Sequence, residues 1–425
     1  MFTKEELKTI RDKFYYVAED YHGNPRVFLD NAGGSLRLAA AEDIFHYYSK
    51  MPDASEHSNK VALEMLAAEE RGRKDIKEVI FNAKKGSVYP TYTASLAMME
   101  VASIVGEHAV GTNCVTSVLE HPSAFDAMQL CAEKYGREFR VASIDPAKGI
   151  VTPDTVMALV DKDTAILSCM AASNISGQIY DIKEICRRAR AINPDIFIIC
   201  DAVQHAPHAS LDPEAWGVDV MNYAPYKFFG IRGLGLAYVS ERVAKLAHNR
   251  LLGSPENNWE LGSPSPAHFA AISAVVDYVC ELGQFLDSEE TNRRKLFEYG
   301  MKRIADHERK LLDVVLNGTD NIEGLRNTPG VKVQMDSGDL NKRDLIFSIE
   351  FDNMPANMPA DQAAKELDER GFVVFERMAD SIYSKRMIEV FDKESKGVVR
   401  VSPLHVHTIE EMEAFIKAVA EVAAL

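Results

Sequence analysis

Between about residue 85 and residue 240, short apolar runs alternate with longer amphipathic segments. This alternation is typical of a parallel sheet whose faces are covered by helices. The strand candidates are Asn113–Val118, Ala165–Met170, Ile196–Cys200, Val218–Asn222 and Gly235–Val239, and the helix candidates include Ser123–Tyr135 and Ile182–Ile192. Ligands of such sheets bind beyond the carboxyl ends of the strands, so polar residues that follow these runs are the first candidates for a site.

The rest of the chain predicts a second, smaller unit. A Gly-, Ser- and Pro-rich loop, Gly253–Pro266, precedes a long helical stretch from Ala267 to about Leu316. Beyond it, the strand candidates are Val331–Gln334, Leu345–Phe351, Val373–Phe375 and Val398–Ser402, and the helix candidates are Ala360–Arg370 and Ile409–Val422. We therefore expect a large domain at 28–266, a linking helical region at 267–316 and a small α+β domain at 317–425, with residues 1–27 packing against the small domain.

Charge and composition exclude several classes of protein. The 64 acidic and 48 basic residues give a net charge of −16, and no long Lys/Arg run is present to neutralise a nucleic-acid backbone. The start of the chain lacks the apolar core of a signal peptide, and no apolar stretch reaches the roughly 20 residues that a membrane span needs. The six cysteines form no C-x-x-C pair, which favours buried thiols in a reducing compartment. We expect a cytoplasmic protein that binds neither nucleic acid nor membrane.

Asp201 and Lys227 are the first residues whose surroundings suggest chemistry. Asp201 follows a strand candidate, where a carboxylate can also simply cap the next helix. Lys227 lies 26 residues later among aromatic and small residues, where a solvated surface lysine is not expected. Desolvation would lower the pKa of its ammonium group, as imine formation with an aldehyde requires. The two residues make chemical sense as a pair. Lys227 would carry an aldehyde cofactor, and ionised Asp201 would keep the cofactor's pyridine nitrogen protonated.

From Phe28 to about Glu413 the sequence resembles the class V aminotransferase and cysteine desulfurase group of fold-type I enzymes, which use pyridoxal 5′-phosphate (PLP). The matching motifs, in the family's order, are Phe28–Ser35, Val88–Ser95, Glu120–Ser123, Ala172–Gly177, Asp201–Gln204, Tyr226–Gly230, Glu260–Pro264 and Val399–Glu411. The resemblance implies an α/β fold, with a mainly parallel seven-stranded sheet in the large domain and a smaller α+β domain at the carboxyl end.

The resemblance also implies a role for individual residues, with catalysis carried by Lys227, His121 and Asp201. The residues that it places at the cofactor are Thr91, Tyr92, Thr93, His121, Asn174, Asp201, Gln204, Tyr226, Lys227 and Ser263. Those that it places at the substrate are Asn31, Arg377 and Arg400.

Four of these residues carry the main implications. His121 would stack on the pyridine ring, although a lone histidine after a strand is more often structural. Ser263 would reach the phosphate of the neighbouring subunit, which implies a homodimer with shared active sites. Arg400 would hold the substrate carboxylate as a bidentate fork. Arg377 would contact the substrate, although a solvated arginine is nearly as good an interpretation.

The sequence departs from the family pattern around the phosphate and in one loop. Tyr226 stands where desulfurases usually have histidine, Ala224 replaces a serine and Thr91 replaces a glycine. Desulfurases also carry a persulfide-forming cysteine on a loop of the small domain, but the matching region Gly371–Ile388 contains none. A persulfide-relaying desulfurase is therefore disfavoured.

The reaction stays open at this stage. A lyase that cleaves a β-substituent or C–S bond of a small amino acid is favoured, because such an elimination needs no enzyme cysteine. A class V aminotransferase is the alternative. Two further alternatives are a racemase or epimerase and a PLP-fold binding protein that has lost catalysis.

Overall fold

The computed structural model describes residues 1–263, 265–351, 358–391, 395 and 397–425. The helices are α1 (Lys4–Arg11), α2 (Ala39–Ser49), α3 (Lys60–Lys74), α4 (Ala94–His108), α5 (Pro122–Lys134), α6 (Pro153–Met157), α7 (Ile182–Ile192), α8 (Pro213–Trp216), α9 (Glu241–Ala244), α10 (Pro266–Gln284), α11 (Arg293–Asn317), α12 (Ala360–Asp368), α13 (Lys385–Phe391) and α14 (Ile409–Ala423). The strands are β1 (Val27–Phe28), β2 (Ser87–Thr91), β3 (Asn113–Ser117), β4 (Glu138–Ala142), β5 (Thr164–Met170), β6 (Phe197–Asp201), β7 (Val220–Tyr223), β8 (Gly235–Val239), β9 (Gly318–Thr319), β10 (Ile322–Glu323), β11 (Val331–Val333), β12 (Phe347–Phe351), β13 (Phe372–Val373), β14 (Phe375–Met378) and β15 (Gly397–Val401).

A seven-stranded sheet in the order β2-β8-β7-β6-β5-β3-β4 forms the large unit. Strands β4, β3, β5, β6 and β7 run parallel, whereas β8 is antiparallel to both of its neighbours. Strand β5 is buried along its whole length, as expected for a sheet covered on both faces. The predicted α/β fold with a mainly parallel seven-stranded sheet is confirmed.

The two edge strands of this sheet were not among the strand candidates. Strand β2 contains Pro90, which lacks a backbone N–H and is tolerated at a sheet edge. Strand β4 contains the charged residues Glu138 and Arg140, and only Ala142 of its five residues is fully buried. Both strands lie at edges, where burial does not impose an apolar run.

The long helical stretch after residue 266 consists of two helices, α10 and α11, that pack closely together. A Cβ atom at Gly283 would lie 2.0 Å from the carbonyl oxygen of Leu296, and one at Gly300 would lie 1.9 Å from that of Val279. Glycine at these positions therefore permits the close backbone approach of the two helices.

A four-stranded antiparallel sheet, in the order β11-β12-β15-β14, forms a second layer with its own apolar core beneath α11, α12 and α14. The candidate strand Val373–Phe375 is divided, because Phe372–Val373 pairs with β1 and Phe375–Met378 pairs with β15. The domain boundaries remain a prediction.

The beginning of the chain contacts its end. Strand β1 pairs in parallel with β13, and Arg11 donates hydrogen bonds of 3.0 and 2.8 Å to the carboxylate of Glu411. Phe14 also packs against Phe229 and Tyr278, so this segment bridges the second layer and the main core. Among the described residues, no helix has both the length and the apolar character needed to cross a membrane.

Candidate active site

A cavity of about 480 Å³ opens at the carboxyl ends of β5 and β6, beside the first turn of α4. This is the edge of a parallel sheet at which ligands are expected to bind. The predicted site residues in its walls are Tyr92, Thr93, His121, Asn174, Asp201, Gln204, Tyr226 and Lys227. Eight residues from separate parts of the sequence thus converge on one cavity.

Lys227 ends a single helical turn, Pro225–Lys227, that follows β7. Its side chain is buried, and burial lowers the pKa of its ammonium group to about 7, with a further contribution from the positive charge of Arg400 and opposition from Asp201. A substantial fraction of Lys227 is therefore an unprotonated amine near neutral pH, which is the nucleophilic form.

Asp201 is the last residue of β6, and its carboxylate points into the cavity. Its Oδ1 accepts a hydrogen bond of 3.1 Å from the backbone N–H of Val203. Burial raises the pKa of Asp201, and this rise is opposed by the Val203 hydrogen bond and by the charge of Lys227. A cationic group in the cavity would favour its ionised form.

His121 caps the amino end of α5, where its Nδ1 accepts a hydrogen bond of 3.2 Å from the backbone N–H of Ser123. Burial lowers the pKa of His121 to about 3, and the nearby positive charge of Lys227 adds to the effect. The imidazole is therefore neutral at physiological pH. A neutral ring in the cavity wall is suited to packing against another ring.

Glu120 lies directly behind His121 and was not singled out from the sequence. Its side chain is fully buried, and its Oε1 accepts hydrogen bonds from the Ser117 hydroxyl (2.6 Å) and the Met170 backbone N–H (3.1 Å). Burial raises the pKa of Glu120 to about 8. Arg386 of α13 donates a hydrogen bond of 2.6 Å to the backbone oxygen of Glu120, which joins the second layer to this corner of the cavity.

Arg400 and Arg377 lie on β15 and β14, and both guanidinium groups flank the ring of Phe375. Arg400 donates hydrogen bonds of 2.5 Å to the carboxylate of Asp30 and 3.2 Å to the backbone oxygen of Asn174. Arg377 donates a hydrogen bond of 2.8 Å to the backbone oxygen of Tyr383. Burial lowers the pKa of Arg377 to about 10, and the charge of Arg400 contributes.

The Nε atoms of Arg400 and Arg377 are both buried, and neither has a hydrogen-bond partner among the described residues. Two neighbouring guanidinium groups with free donors form a site for an anion. The sequence identified both arginines, but it gave no indication that Asp30 pairs with Arg400.

Asn31 contributes to the structure around the site. Its Nδ2 donates to the backbone oxygens of Phe28 (3.1 Å) and Ser402 (2.9 Å), and its Oδ1 accepts from the backbone N–H of Leu36 (3.0 Å). These contacts fix the opening segment beside β15. Asn31 lies outside the cavity walls formed by the described residues.

Four other predicted residues also lie outside those walls: Arg377 and Arg400, described above, and Thr91 and Ser263. Thr91 is the last residue of β2 and pairs with Gly235. Ser263 is exposed, and its hydroxyl donates a hydrogen bond to Glu56. Within a single chain, neither side chain contributes to the cavity.

Polar atoms in the cavity walls are left for a ligand. The Oδ1 atoms of Asn174 and Asn222 are buried, and they have no hydrogen-bond partner among the described residues. Gln204 uses its Nε2 to donate a hydrogen bond of 2.9 Å to the backbone oxygen of Ala32. Thr93 caps α4 by accepting a hydrogen bond of 3.0 Å from the backbone N–H of Leu96. Asn174 and Asn222 thus leave two buried acceptors in the cavity wall.

This protein has a buried lysine with a lowered pKa and a buried carboxylate at the carboxyl ends of strands in a mainly parallel sheet. These features are those of fold-type I PLP-dependent enzymes. A sequence model of the Aminotransferase class-V family matches residues 27–415. The chain belongs to this family, and its cofactor is PLP.

Individual relatives agree with this family. A cysteine desulfurase of Yersinia pestis bv. Antiqua (strain Angola) is 24% identical over 297 residues, which cover 65% of this chain and 72% of the relative. The apo structure of a cysteine desulfurase from Thermococcus onnurineus NA1 has a TM-score of 0.79 at 20% identity and covers 100% of this chain and 99% of its own. A solved NifS-like protein has a TM-score of 0.74 at 20% identity and covers 94% and 99% of the two chains.

The residues present fit the cofactor. PLP carries an aldehyde, a pyridine nitrogen and a phosphate, and the cavity offers a buried amine, a buried carboxylate and the first turn of α4. The unpartnered Oδ1 atoms of Asn174 and Asn222 also indicate that the walls are built around a polar group.

Proposed function

We propose that this chain is a PLP-dependent lyase that eliminates a β-substituent, such as a thiol, from a small α-amino acid without forming a persulfide on the enzyme. The relatives include cysteine desulfurases, which supports a sulfur-containing or related amino acid as substrate. The observation that carries the proposal is the position of the cysteines: none follows Cys280 in the sequence, and all six are buried.

Burial makes these thiols inaccessible as sulfur acceptors, including Cys131, whose pKa is lowered by its hydrogen bond with Cys114. A persulfide forms on an accessible thiolate, whereas burial raises the pKa of Cys186 and Cys280 to about 12. Burial also raises the pKa of Cys169 and Cys200, which lie in the middle of the large sheet. The loop before α13, where the family resemblance places the sulfur acceptor, exposes Ile382 and Tyr383 instead.

Each site residue has a role in the proposed reaction. When bound, PLP supplies an electron sink for the pair of electrons left at the substrate's Cα. Lys227 holds the cofactor and, once the substrate amine has displaced it, removes the Cα proton with its Nζ. Asp201 binds the ring nitrogen, and His121 packs on the ring. Arg400 and Arg377 hold the substrate carboxylate through their unpartnered Nε atoms.

The reaction is tested by product analysis on the holoenzyme with L-cysteine and a set of β-substituted analogues. A lyase releases pyruvate, ammonia and sulfide from cysteine in equal amounts and without interruption, with the uptake of one water. Alanine together with a protein-bound persulfide would contradict the proposal. So would one equivalent of keto acid followed by arrest until an amino acceptor is added, which is the behaviour of an aminotransferase.

Lys227→Ala is the matched inactive variant for these assays. It should lose both turnover and covalent cofactor attachment, which is read by mass spectrometry after borohydride reduction. Turnover at the wild-type rate in this variant would overturn the assignment of Lys227. A wild-type protein that binds PLP covalently but turns over none of the tested amino acids would instead contradict the lyase proposal.

We also propose that the active enzyme is a homodimer with shared sites. In the single chain, the wall residue Tyr92 is 79% exposed, and Leu261 and Ser263 lie exposed on the segment that the resemblance assigns to the neighbouring subunit. A second copy would cover these surfaces. Light scattering should give a mass twice that of the chain, and Ser263→Ala should weaken PLP binding. A monomer with full activity would rule this arrangement out.

A further inference from the structure

Basic residues are concentrated at the two ends of the active-site region. Arg400 and Arg377 lie on the strands β15 and β14 of the small sheet. Arg232 lies in the cavity wall, together with Thr93, Ala94 and Ser95 from the first turn of α4. We call this part of the wall, residues 93–95 and Arg232, the α4 end of the cavity.

Backbone packing keeps Arg232 close to the first turn of α4. Gly235, three residues further on, pairs with Thr91 at the start of β8. A Cβ atom at Gly235 would lie 2.0 Å from the carbonyl carbon of Thr93 and 2.1 Å from the backbone nitrogen of Ala94. Only glycine permits this approach, so Gly235 packs directly against the backbone that begins α4, and Arg232 lies three residues before it in the same cavity wall.

The guanidinium group of Arg232 is held in place without a carboxylate. It lies 4.2 Å above the centre of the Tyr226 ring, and its Nη2 donates a hydrogen bond of 3.2 Å to the backbone oxygen of Gly33. A Cβ atom at Gly34 would lie 2.6 Å from that Nη2, so the guanidinium group lies directly against the backbone of Gly34. In the part of the chain that the structure describes, Arg232 forms no salt bridge, and it remains exposed.

We propose that Arg232 binds the phosphate group of PLP. Among the described residues, the basic side chains of the cavity wall are His121, Lys227 and Arg232. His121 is neutral and Lys227 is used to attach the cofactor, so Arg232 is left as the cation. A phosphate dianion is stabilised by a helix amino end and by an arginine fork acting together. The inference rests on the cofactor and on its proposed attachment to Lys227, and it is independent of the reaction type.

The sequence supports the need for such a cation. Ala224 and Tyr226 stand at positions where the family resemblance expects a serine and a histidine as phosphate donors. Ala224 has no side-chain donor to offer, and Tyr226 carries the guanidinium group of Arg232 over its ring. Arg232 would supply a full positive charge where a serine donor is missing.

The α-carboxylate of a substrate has other partners available. These are Arg400 and Arg377, whose Nε atoms are buried and unpartnered among the described residues. Arg400 also contacts Asn174, which lines the cavity. Arg232 is therefore not needed for the α-carboxylate and is free to bind the cofactor's phosphate.

The test compares two cofactors on the same apoprotein: PLP, and pyridoxal, which has the same ring and aldehyde but no phosphate. In Arg232→Ala the Kd for PLP should rise at least tenfold, while the Kd for pyridoxal should stay within twofold of wild type. Arg232→Lys should give an intermediate Kd for PLP, because charge is kept and the fork is lost. The exposed Arg187→Ala serves as the control and should leave both constants unchanged.

Several results would overturn the proposal. These are an unchanged Kd for PLP in Arg232→Ala, or an equal loss of affinity for PLP and pyridoxal. A variant that binds PLP normally but has a raised KM for acidic amino acids alone would assign Arg232 to the substrate side chain instead. Circular dichroism of the apoproteins establishes that each variant is folded. Covalent attachment of the cofactor should be lost in Lys227→Ala and kept in Arg232→Ala. This difference separates the inference on Arg232 from the assignment of Lys227.

Discussion

The carboxylate of Asp30 accepts a hydrogen bond of 2.5 Å from the guanidinium group of Arg400, which lies 370 residues later in the chain. The Arg400 side chain is 3% exposed and that of Asp30 is 21% exposed. This pair neutralises a buried charge and orients the arginine, so that its Nε remains free.

Asp30→Asn should lower the free energy of unfolding by up to about 3 kcal/mol, because Arg400 then keeps a buried charge without its counterion. Urea unfolding of the apoprotein measures the change. Asp320→Asn, at an exposed position, is the control and should differ from wild type by less than about 0.5 kcal/mol. Equal stability of the two variants would show that the pair contributes nothing.

Arg400→Lys should raise the KM for the amino-acid substrate by about 10- to 100-fold, because a lysine cannot replace the planar fork on a carboxylate. The Kd for PLP should not change. Arg377→Lys should have a smaller effect, because Arg377 bonds to Tyr383 in the loop before α13, whereas Arg400 bonds to the backbone of Asn174, which lines the cavity. A larger effect at Arg377 than at Arg400 would reverse the two roles.

Lys227 should make the stability of the apoprotein depend on pH. Its pKa is about 7 in the folded chain against 10.5 as the ordinary value, so between these values the unfolded chain binds a proton that the folded chain does not. Stability therefore rises with pH across this window, by about 1.4 kcal/mol per pH unit.

Lys227→Met should remove this contribution, which is measured as the difference between wild type and variant in urea unfolding at several pH values from 7 to 10. The exposed Lys162→Met is the control. Wild-type and Lys227→Met curves that stay parallel across this range would contradict a lowered pKa at Lys227.

Glu120 should have the opposite pH dependence. Its pKa is about 8 in the folded chain against 4.5 ordinarily, so the folded chain keeps a proton that the unfolded chain has lost. This contribution is fully present below about pH 4.5 and is lost as pH rises towards 8. As pH rises over that range, the free energy of unfolding should fall less in Glu120→Gln than in wild type. Glu256→Gln, at an exposed position, should show the same fall as wild type.

The central strands and the convergent site residues were accessible from the sequence. Strands β5, β6, β7 and β8 are mostly apolar in sequence, and a polar residue at a strand end, such as Asp201, stands out. Lys227 stood out because its neighbours are aromatic or small. These signals are local, so one sequence is enough to detect them.

Features that depend on distant contacts were not accessible. Asp30 is an ordinary acidic residue until β15 brings Arg400 beside it. Glu120 differs from a surface glutamate only in the burial that β5 and the second layer impose. In the sequence, Arg232 resembles a solvated residue. Its position in the structure follows from the close approaches at Gly34 and Gly235.

The pairing of β1 with β13 has a consequence for synthesis. Val27 and Phe28 leave the ribosome early, but their partners Phe372 and Val373 are made about 345 residues later. At roughly 5 to 20 residues per second, the first segment waits on the order of 20 to 70 s without its partner strand. Because Asp30 and its partner Arg400 are separated in the same way, the proposed carboxylate-binding side of the site can be completed only after almost the entire chain has been translated.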